Sequence, residues 1–212
     1  MDTKSPDLSD RKFIMSIDIG IHHLALMLLE MNPDFTFQDI VWFELVDITQ
    51  FHHLDEEAKK NCPLKHSKTV SDWLSHITYL NQEAFMIAEH VLIERQPFQG
   101  HTAVEQLLFY QFRDKAVLIS PRSVHKFFGW GPQIDYEQRK ERSIRVMQYK
   151  LKSTTRPWLQ TEFDALSRQH DVSDALTQAL FFLYNRHKDY KTTTPIVSII
   201  DFDKYRFQVF IT

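Results

Sequence analysis

The first half of the chain alternates short apolar runs with abrupt polar breaks. Residues 13–21 form a nearly continuous apolar run, interrupted at Ser16, Asp18 and Gly20. Leu24–Met31 is a second run and Phe37–Val46 a third, with Asn32-Pro33-Asp34 between them. Runs of this length, bounded by turn residues, read as strands, and the tight connections predict a three-stranded antiparallel meander. Residues 49–68 are polar and predict a loop or a short irregular helix. From 69 to 90 the spacing changes: Val70, Trp73, Leu74, Ile77, Leu80, Ala84, Ile87 and Ala88 fall on one broad helical face. A short doubly buried strand follows at 91–94, then a helix at 102–113 and a fifth strand at 116–120. Residues 121–132 predict a loop with a short helical piece, Tyr136–Leu151 a basic helix, and 172–185 a final helix. The order β-β-β-α-β-α-β-α-α implies an α/β protein: a mixed five-stranded sheet with an antiparallel three-strand start, then parallel strands, flanked by helices.

Against this pattern four acidic residues stand out. Asp18 interrupts the first strand, Glu94 ends the fourth, and Asp171 and Asp174 open the last apolar helix. A carboxylate at the edge of a core is costly unless it is paired, hydrogen-bonded or metal-bound. Each has a simpler explanation when taken alone: a turn before Gly20, a pair with Arg95, a helix cap. Together they suggest one metal site assembled from distant parts of the chain. Carboxylates suit hard cations such as Mg2+ and Mn2+. Two such ions about 4 Å apart activate a water and stabilise the leaving oxygen of a phosphodiester. In this scheme Asp18 bridges, Glu94 approaches from the neighbouring strand, and Asp171 and Asp174 share a helix face.

Composition narrows the setting. The chain has 212 residues and a formal net charge of −3, so any nucleic-acid surface has to be local. Between Arg139 and Arg156 there are seven Lys and Arg against one Glu, a candidate phosphate-contacting face that also reads as a solvated helix. Cys62 is the only cysteine, which rules out an internal disulfide and a zinc cluster built from cysteines and favours a reducing compartment. Residues 1–12 are polar, lack a signal-peptide core and predict a disordered tail; 13–190 predict one domain; 191–212 predict a strand-forming extension. No segment reads as a membrane span.

The segments Ser16-Ile17-Asp18-Ile19-Gly20-Ile21, Leu92-Ile93-Glu94-Arg95-Gln96 and His170-Asp171-Val172-Ser173-Asp174-Ala175-Leu176 resemble the RuvC-type Holliday junction resolvases of the RNase H-like superfamily. The nearest likeness is to the poxvirus and mitochondrial branch, and to the poxvirus resolvases within it. The resemblance spans roughly residues 13–187. It implies a Mg2+-dependent endonuclease, with Mn2+ as substitute and two ions per site, that cuts four-way and other branched DNA as a homodimer. In viruses this role resolves replication concatemers.

By position the resemblance also implies DNA contacts at Phe98, Lys126 and Lys140; Arg95 and Gln96 beside Glu94, and Arg139, Arg142 and Arg145 of the basic run, join them as candidate DNA-binding residues. Phe98 is either a wedge for the junction centre or a core or dimer contact. His22 and His23 replace the Lys-Asn of many relatives. His170 is a second-tier candidate whose ordinary reading is a surface histidine. The expected location is cytoplasmic, at a viral replication site or in the virion. A mitochondrial leader is disfavoured by Asp2, Asp7 and Asp10. Two other readings stand beside this one. An actin- or hexokinase-like ATP-binding protein shares Asp18-Ile19-Gly20 but needs a second Asp-x-Gly. A catalytically inactive RNase H-like scaffold would not need all four carboxylates.

Overall fold

The computed structural model describes residues 11–52 and 56–193. Strands β1 (Lys12–Asp18), β2 (Leu24–Met31), β3 (Phe37–Val46), β4 (Ala88–Glu94) and β5 (Ala116–Ile119) form a single sheet in the order β3-β2-β1-β4-β5. The first three strands pair antiparallel, and β4 and β5 add in parallel on the other side of β1. A 3-10 helix at Ile48–His52 and helices α1 (Glu56–Asn61), α2 (Val70–Leu80), α3 (Gln82–Ile87), α4 (Thr102–Gln111), α5 (Pro121–Phe127), α6 (Tyr136–Leu151), α7 (Trp158–Ala165) and α8 (Gln169–Thr193) complete the secondary structure of the described residues. No helix among the described residues is long and apolar enough to cross a membrane.

The sheet separates two apolar cores, and strand alternation decides which residues enter each. Ile14, Met27, Leu29, Phe43 and Leu92 pack beneath α6, α7 and α8. Met15, Ile17, Leu26, Val91 and Ile93 pack beneath α2, α3 and α4. Successive side chains of a strand point to opposite faces. Asp18 therefore follows Ile14 and Ser16 toward α8, and Glu94 follows Leu92 to the same face.

The meander, the parallel additions and the helix at 136–151 stand as the sequence predicts. Other boundaries move. β1 ends at Asp18 instead of running to 21, so Asp18 closes the strand and is not in its middle. The chain turns at Gly20, where a Cβ would meet the His23 carbonyl oxygen at 2.6 Å. The long helix expected at 69–90 breaks at Asn81, whose amide and side chain both return to the Ile77 carbonyl, and Ala88 enters β4 directly. The last helix starts three residues earlier than expected and runs on past 190, across the expected domain end. Helix α7 has no counterpart among the elements the sequence predicts. Of the tail predicted at 1–12, Lys12 instead opens β1, and residues 1–10, like the predicted strands at 195–212, lie outside the described residues.

Candidate active site

Asp18, Glu94, Asp171 and Asp174 line one cleft of about 680 Å3. The parallel register pairs Ile17 with Ile93, which sets Asp18 and Glu94 side by side at the C-terminal ends of adjacent strands. Helix α8 supplies the other two. Asp171, Asp174, Ala175 and Gln178 repeat at helical spacing and form the stripe laid against β1.

Buried polar contacts hold that stripe in place. The Ser16 hydroxyl donates to the Ala175 carbonyl at 2.7 Å. The Gln178 amide donates to Ser16 Oγ at 3.1 Å and to the Ile17 carbonyl at 3.2 Å. Ser16 and Gln178 are both buried. Removing one partner strands a buried polar group, at a cost of about 1–3 kcal/mol. Gln178→Leu is accordingly expected to lower stability by about that amount and to slow chemistry through displaced carboxylates. Chemical denaturation and single-turnover rates check this; an unchanged rate in a destabilised variant would show that α8 needs no such pin.

The electrostatics of the cleft are those of crowded anions. Loss of hydration pushes the Asp18 carboxyl well above the usual range, with further upward pressure from Glu94, Asp174 and Asp171. Burial raises Asp174 to about 7, reinforced by Glu94 and Asp171 and opposed by a hydrogen bond with Ser143. Burial also raises Glu94, which shares a hydrogen bond with Asp18. The Glu94 carboxylate accepts from the Gln96 amide at 2.5 Å and from the Ile19 amide at 3.4 Å. Asp171 is held differently: Arg168 Nε donates to its Oδ2 at 2.7 Å and Nη2 to its Oδ1 at 3.3 Å, and His170 Nε2 lies 3.0 Å from Oδ1. Asp18, Glu94 and Asp174 thus face one another with no comparable cation. That donor set, all oxygen and short of positive charge, fits hard divalent ions.

The remaining expected residues divide. His22, His23, Gln96, Arg139, Lys140 and His170 line the cleft with the carboxylates. His22 Nδ1 lies 3.2 Å from Asp47, and Arg139 donates to the Ile134 carbonyl at 2.6 Å. His170 is not a surface histidine: its side chain keeps 14% of its exposure against Arg168 and Asp171. Burial lowers its pKa.

Arg95, Phe98, Lys126, Arg142 and Arg145 do not line the cleft. Arg95 lies just past the end of β4 and is exposed. Phe98 is 97% exposed, which removes the core reading of that residue. Lys126 lies on the outer face of α5, while Val124 and His125 turn inward. On α6, Tyr136, Arg139 and Lys140 face the cleft, and Arg142 and Arg145 are rotated off that face. Arg145 pairs with Glu141 at 2.6 Å.

Arg168, His101, His125, Tyr136 and Gln178 also line the cleft and were not singled out from the sequence. Arg168 precedes Asp171 by three residues, an ion-pair spacing that was available. His101, just before α4, and His125 in α5 carry no local signal.

The family profile described as Poxvirus A22 protein matches residues 12–186. No curated protein matches the sequence significantly. Among solved structures, the fold is similar to the fowlpox virus resolvase in complex with substrate Holliday junction DNA, at 16% identity, 82% coverage of this chain, 97% of that one and a TM-score of 0.58. It is also similar to the fowlpox virus Holliday junction resolvase alone, at 15% identity, 82% and 99% coverage and a TM-score of 0.56. A third is Thermus thermophilus RuvC in complex with a Holliday junction substrate, at 15% identity, 84% and 96% coverage and a TM-score of 0.51. At such identities the structural likeness establishes the mixed-sheet fold. The profile covers both strand carboxylates and both helix carboxylates, and by that match the chain belongs to the Poxvirus A22 protein family.

Proposed function

We propose that this protein is a divalent-metal-dependent endonuclease that resolves Holliday junctions and other branched DNA by symmetric phosphodiester hydrolysis. The observation that carries the reading is the convergence of Asp18, Glu94, Asp171 and Asp174 on one cleft bordered by Arg139, Lys140 and Arg168. The fold shared with a fowlpox virus resolvase seated on its junction supports it. An inactive scaffold has no need to gather four repelling carboxylates, and an ATP-binding protein of the actin or hexokinase kind has no use for them without a second phosphate loop.

Asp18, Glu94, Asp171 and Asp174 would hold the divalent ions, two Mg2+ or Mn2+ in their place. Bound there, such ions supply charge stabilisation and water activation for phosphodiester hydrolysis. The chain's own residues set the geometry. Gln96 and the Ile19 amide fix the Glu94 carboxylate, and Arg168 fixes Asp171. Arg139 and Lys140 draw the scissile phosphate inward, while the outlying Arg95, Lys126, Arg142 and Arg145 meet the backbone of the arms, giving salt-sensitive binding. Phe98, fully exposed on the loop after β4, is the wedge that inserts between bases at the branch.

Two opposed strands require two active sites, and a C2 homodimer supplies them. Leu74, Ile77, Val104 and Leu108 are committed to the core. Leu80, Met86, Ile87 and Tyr110 remain exposed on the same side of the sheet and suit the subunit contact. The lone Cys62 and the poxvirus family support a cytoplasmic, viral replication setting.

A synthetic four-way junction, compared with linear duplex of the same sequence, tests the proposal. Paired nicks across the junction are expected with Mg2+ and none without it. Equal cutting of duplex and junction, or ATP hydrolysis in place of DNA cleavage, would overturn it.

A further inference from the structure

On the opposite side of the sheet from α8, the connection between α1 and α2 brings together three side chains that do not line the cleft. Cys62 follows α1, His66 lies in the connecting loop, and His76 sits in α2. Their ligating atoms lie within 4.8 Å of one another. Cys62 Sγ is 3.6 Å from His76 Nε2, and His66 Nε2 is 3.5 Å from the same nitrogen. A tetrahedral zinc site, with Zn–N about 2.0–2.1 Å and Zn–S about 2.3 Å, spaces its donors roughly 3.3 Å apart for two nitrogens and roughly 3.6 Å for nitrogen and sulfur. The two separations at His76 Nε2 match edges of such a polyhedron.

The outer contacts argue the same way. His76 Nδ1 meets the Asp72 carbonyl at 2.6 Å, and His66 Nδ1 meets the Phe51 carbonyl at 3.4 Å. A carbonyl only accepts, so each ring carries its proton on Nδ1 and turns an Nε2 lone pair toward the other. Two lone pairs and a sulfur converge, and the thiol proton can serve only one of them. A ligating histidine is normally fixed by such a bond from its other nitrogen to a carbonyl. His76 is 4% exposed, and the Phe51 ring stacks on it at 5.0 Å. Ser67 ties the loop back to Asp72 through its amide at 3.0 Å and through its hydroxyl. The site is therefore built into the fold around a buried imidazole.

We infer that Cys62, His66 and His76 form a zinc site, with solvent as the fourth ligand, that fastens the α1–α2 connection to the sheet-packed helix α2. One thiolate and two imidazoles suit zinc and not the hard ions of the carboxylate cleft. The spacing Cys-x3-His-x9-His places all three donors within fifteen residues, so metal binding closes one short loop. The inference does not depend on the nuclease reading.

The full-length protein is tested by zinc analysis after dialysis and by Co2+ substitution in excess Mg2+. The expected result is one tightly held Zn2+ per chain and a Co2+ spectrum with a thiolate-to-metal charge-transfer band and tetrahedral ligand-field bands. Cys62→Ser is expected to lose the band and the zinc. His66→Ala, altered only on the loop, is expected to lose zinc while keeping the wild-type far-ultraviolet circular dichroism. Asp174→Asn is expected to keep both band and zinc. Absence of the thiolate band in the wild type, or zinc retained equally by Cys62→Ser and His66→Ala, would overturn the site.

Discussion

Asp18→Asn is expected to abolish junction cleavage, leave junction binding largely intact, and make the metal-free protein more stable than the wild type. The first part follows from placement. Asp18 is the one carboxylate flanked by Glu94 across the β1–β4 register and by Asp174 and Asp171 across the sheet–helix contact. Metal-assisted charge stabilisation is worth several kcal/mol in a phosphoryl transition state, so losing its central ligand corresponds to about a thousandfold or greater fall in rate. Binding rests on the cationic residues and the exposed loop, which the substitution leaves alone.

The stability effect follows from proton linkage. Asp18, Glu94 and Asp174 all have folded pKa values above those of the unfolded chain, Asp174 at about 7. Between the ordinary carboxylate range and about 7 the folded state holds protons that the unfolded state has released. Metal-free stability therefore falls as pH rises through that window and stays low above it. An amide at position 18 removes one of the repelling charges, and a bound divalent cation compensates them all. Melting temperatures should rise in the variant at pH 8 without metal. In the wild type, Mg2+ should raise the melting temperature more at pH 8 than at pH 5. Wild-type cleavage by Asp18→Asn would sink its metal-holding role; a variant less stable than the wild type at pH 8 would sink the charge-crowding account.

How far the sequence discloses this site depends on the kind of contact involved. β2, β3 and α6 are legible to the residue because each is a periodic run with clear breaks at both ends. Their order fixes a mixed sheet, and strand alternation then sends Asp18 and Glu94 to one face. The four carboxylates are legible because each violates its local pattern. Arg168, His101 and His125 violate nothing; they become site residues only when separate helices converge. The zinc-type cluster escapes notice for a related reason. A single cysteine excludes a cysteine cluster, but His66 and His76 meet Cys62 through a loop whose path no periodicity predicts. The cationic run from Arg139 to Arg156 shows the opposite error, of reading too much as one surface. Arg139 and Lys140 enter the cleft, but Lys150 is half-buried over Phe37, where loss of hydration lowers its pKa to about 8. Arg156 belongs to a different structure altogether.

Arg156→Ala is expected to destabilise the fold by about 3–5 kcal/mol, the cost of leaving one member of a buried ion pair alone. Its guanidinium lies 2.6 Å from Asp39 in β3 and 4.0 Å from Glu30 in β2. Asp39 is 4% exposed and accepts in addition from the Thr154 hydroxyl at 2.7 Å, the Thr155 hydroxyl at 2.5 Å and the Thr155 amide at 3.2 Å. Burial by itself would raise the Asp39 carboxyl; the hydrogen bonds from Thr155 and Thr154 overcome it and hold the pKa below its ordinary value. A depressed folded pKa contributes stability above the unfolded carboxyl's range, near about pH 4, and loses it as pH falls through the folded value. The cluster ties the turn between α6 and α7 to the far edge of the sheet, and α6 carries Arg139 and Lys140 to the cleft at its other end. For a chain of this size the loss corresponds to a fall of between about 6 and 20 °C in melting temperature at neutral pH. Asp39→Asn should recover part of the loss in the Arg156→Ala background, because it removes the orphaned charge while keeping an acceptor for the threonines. If Arg156→Ala melts with the wild type, or if adding Asp39→Asn to it lowers stability as much as in the wild-type background, the two residues are not coupled and the turn is held by its apolar contacts alone.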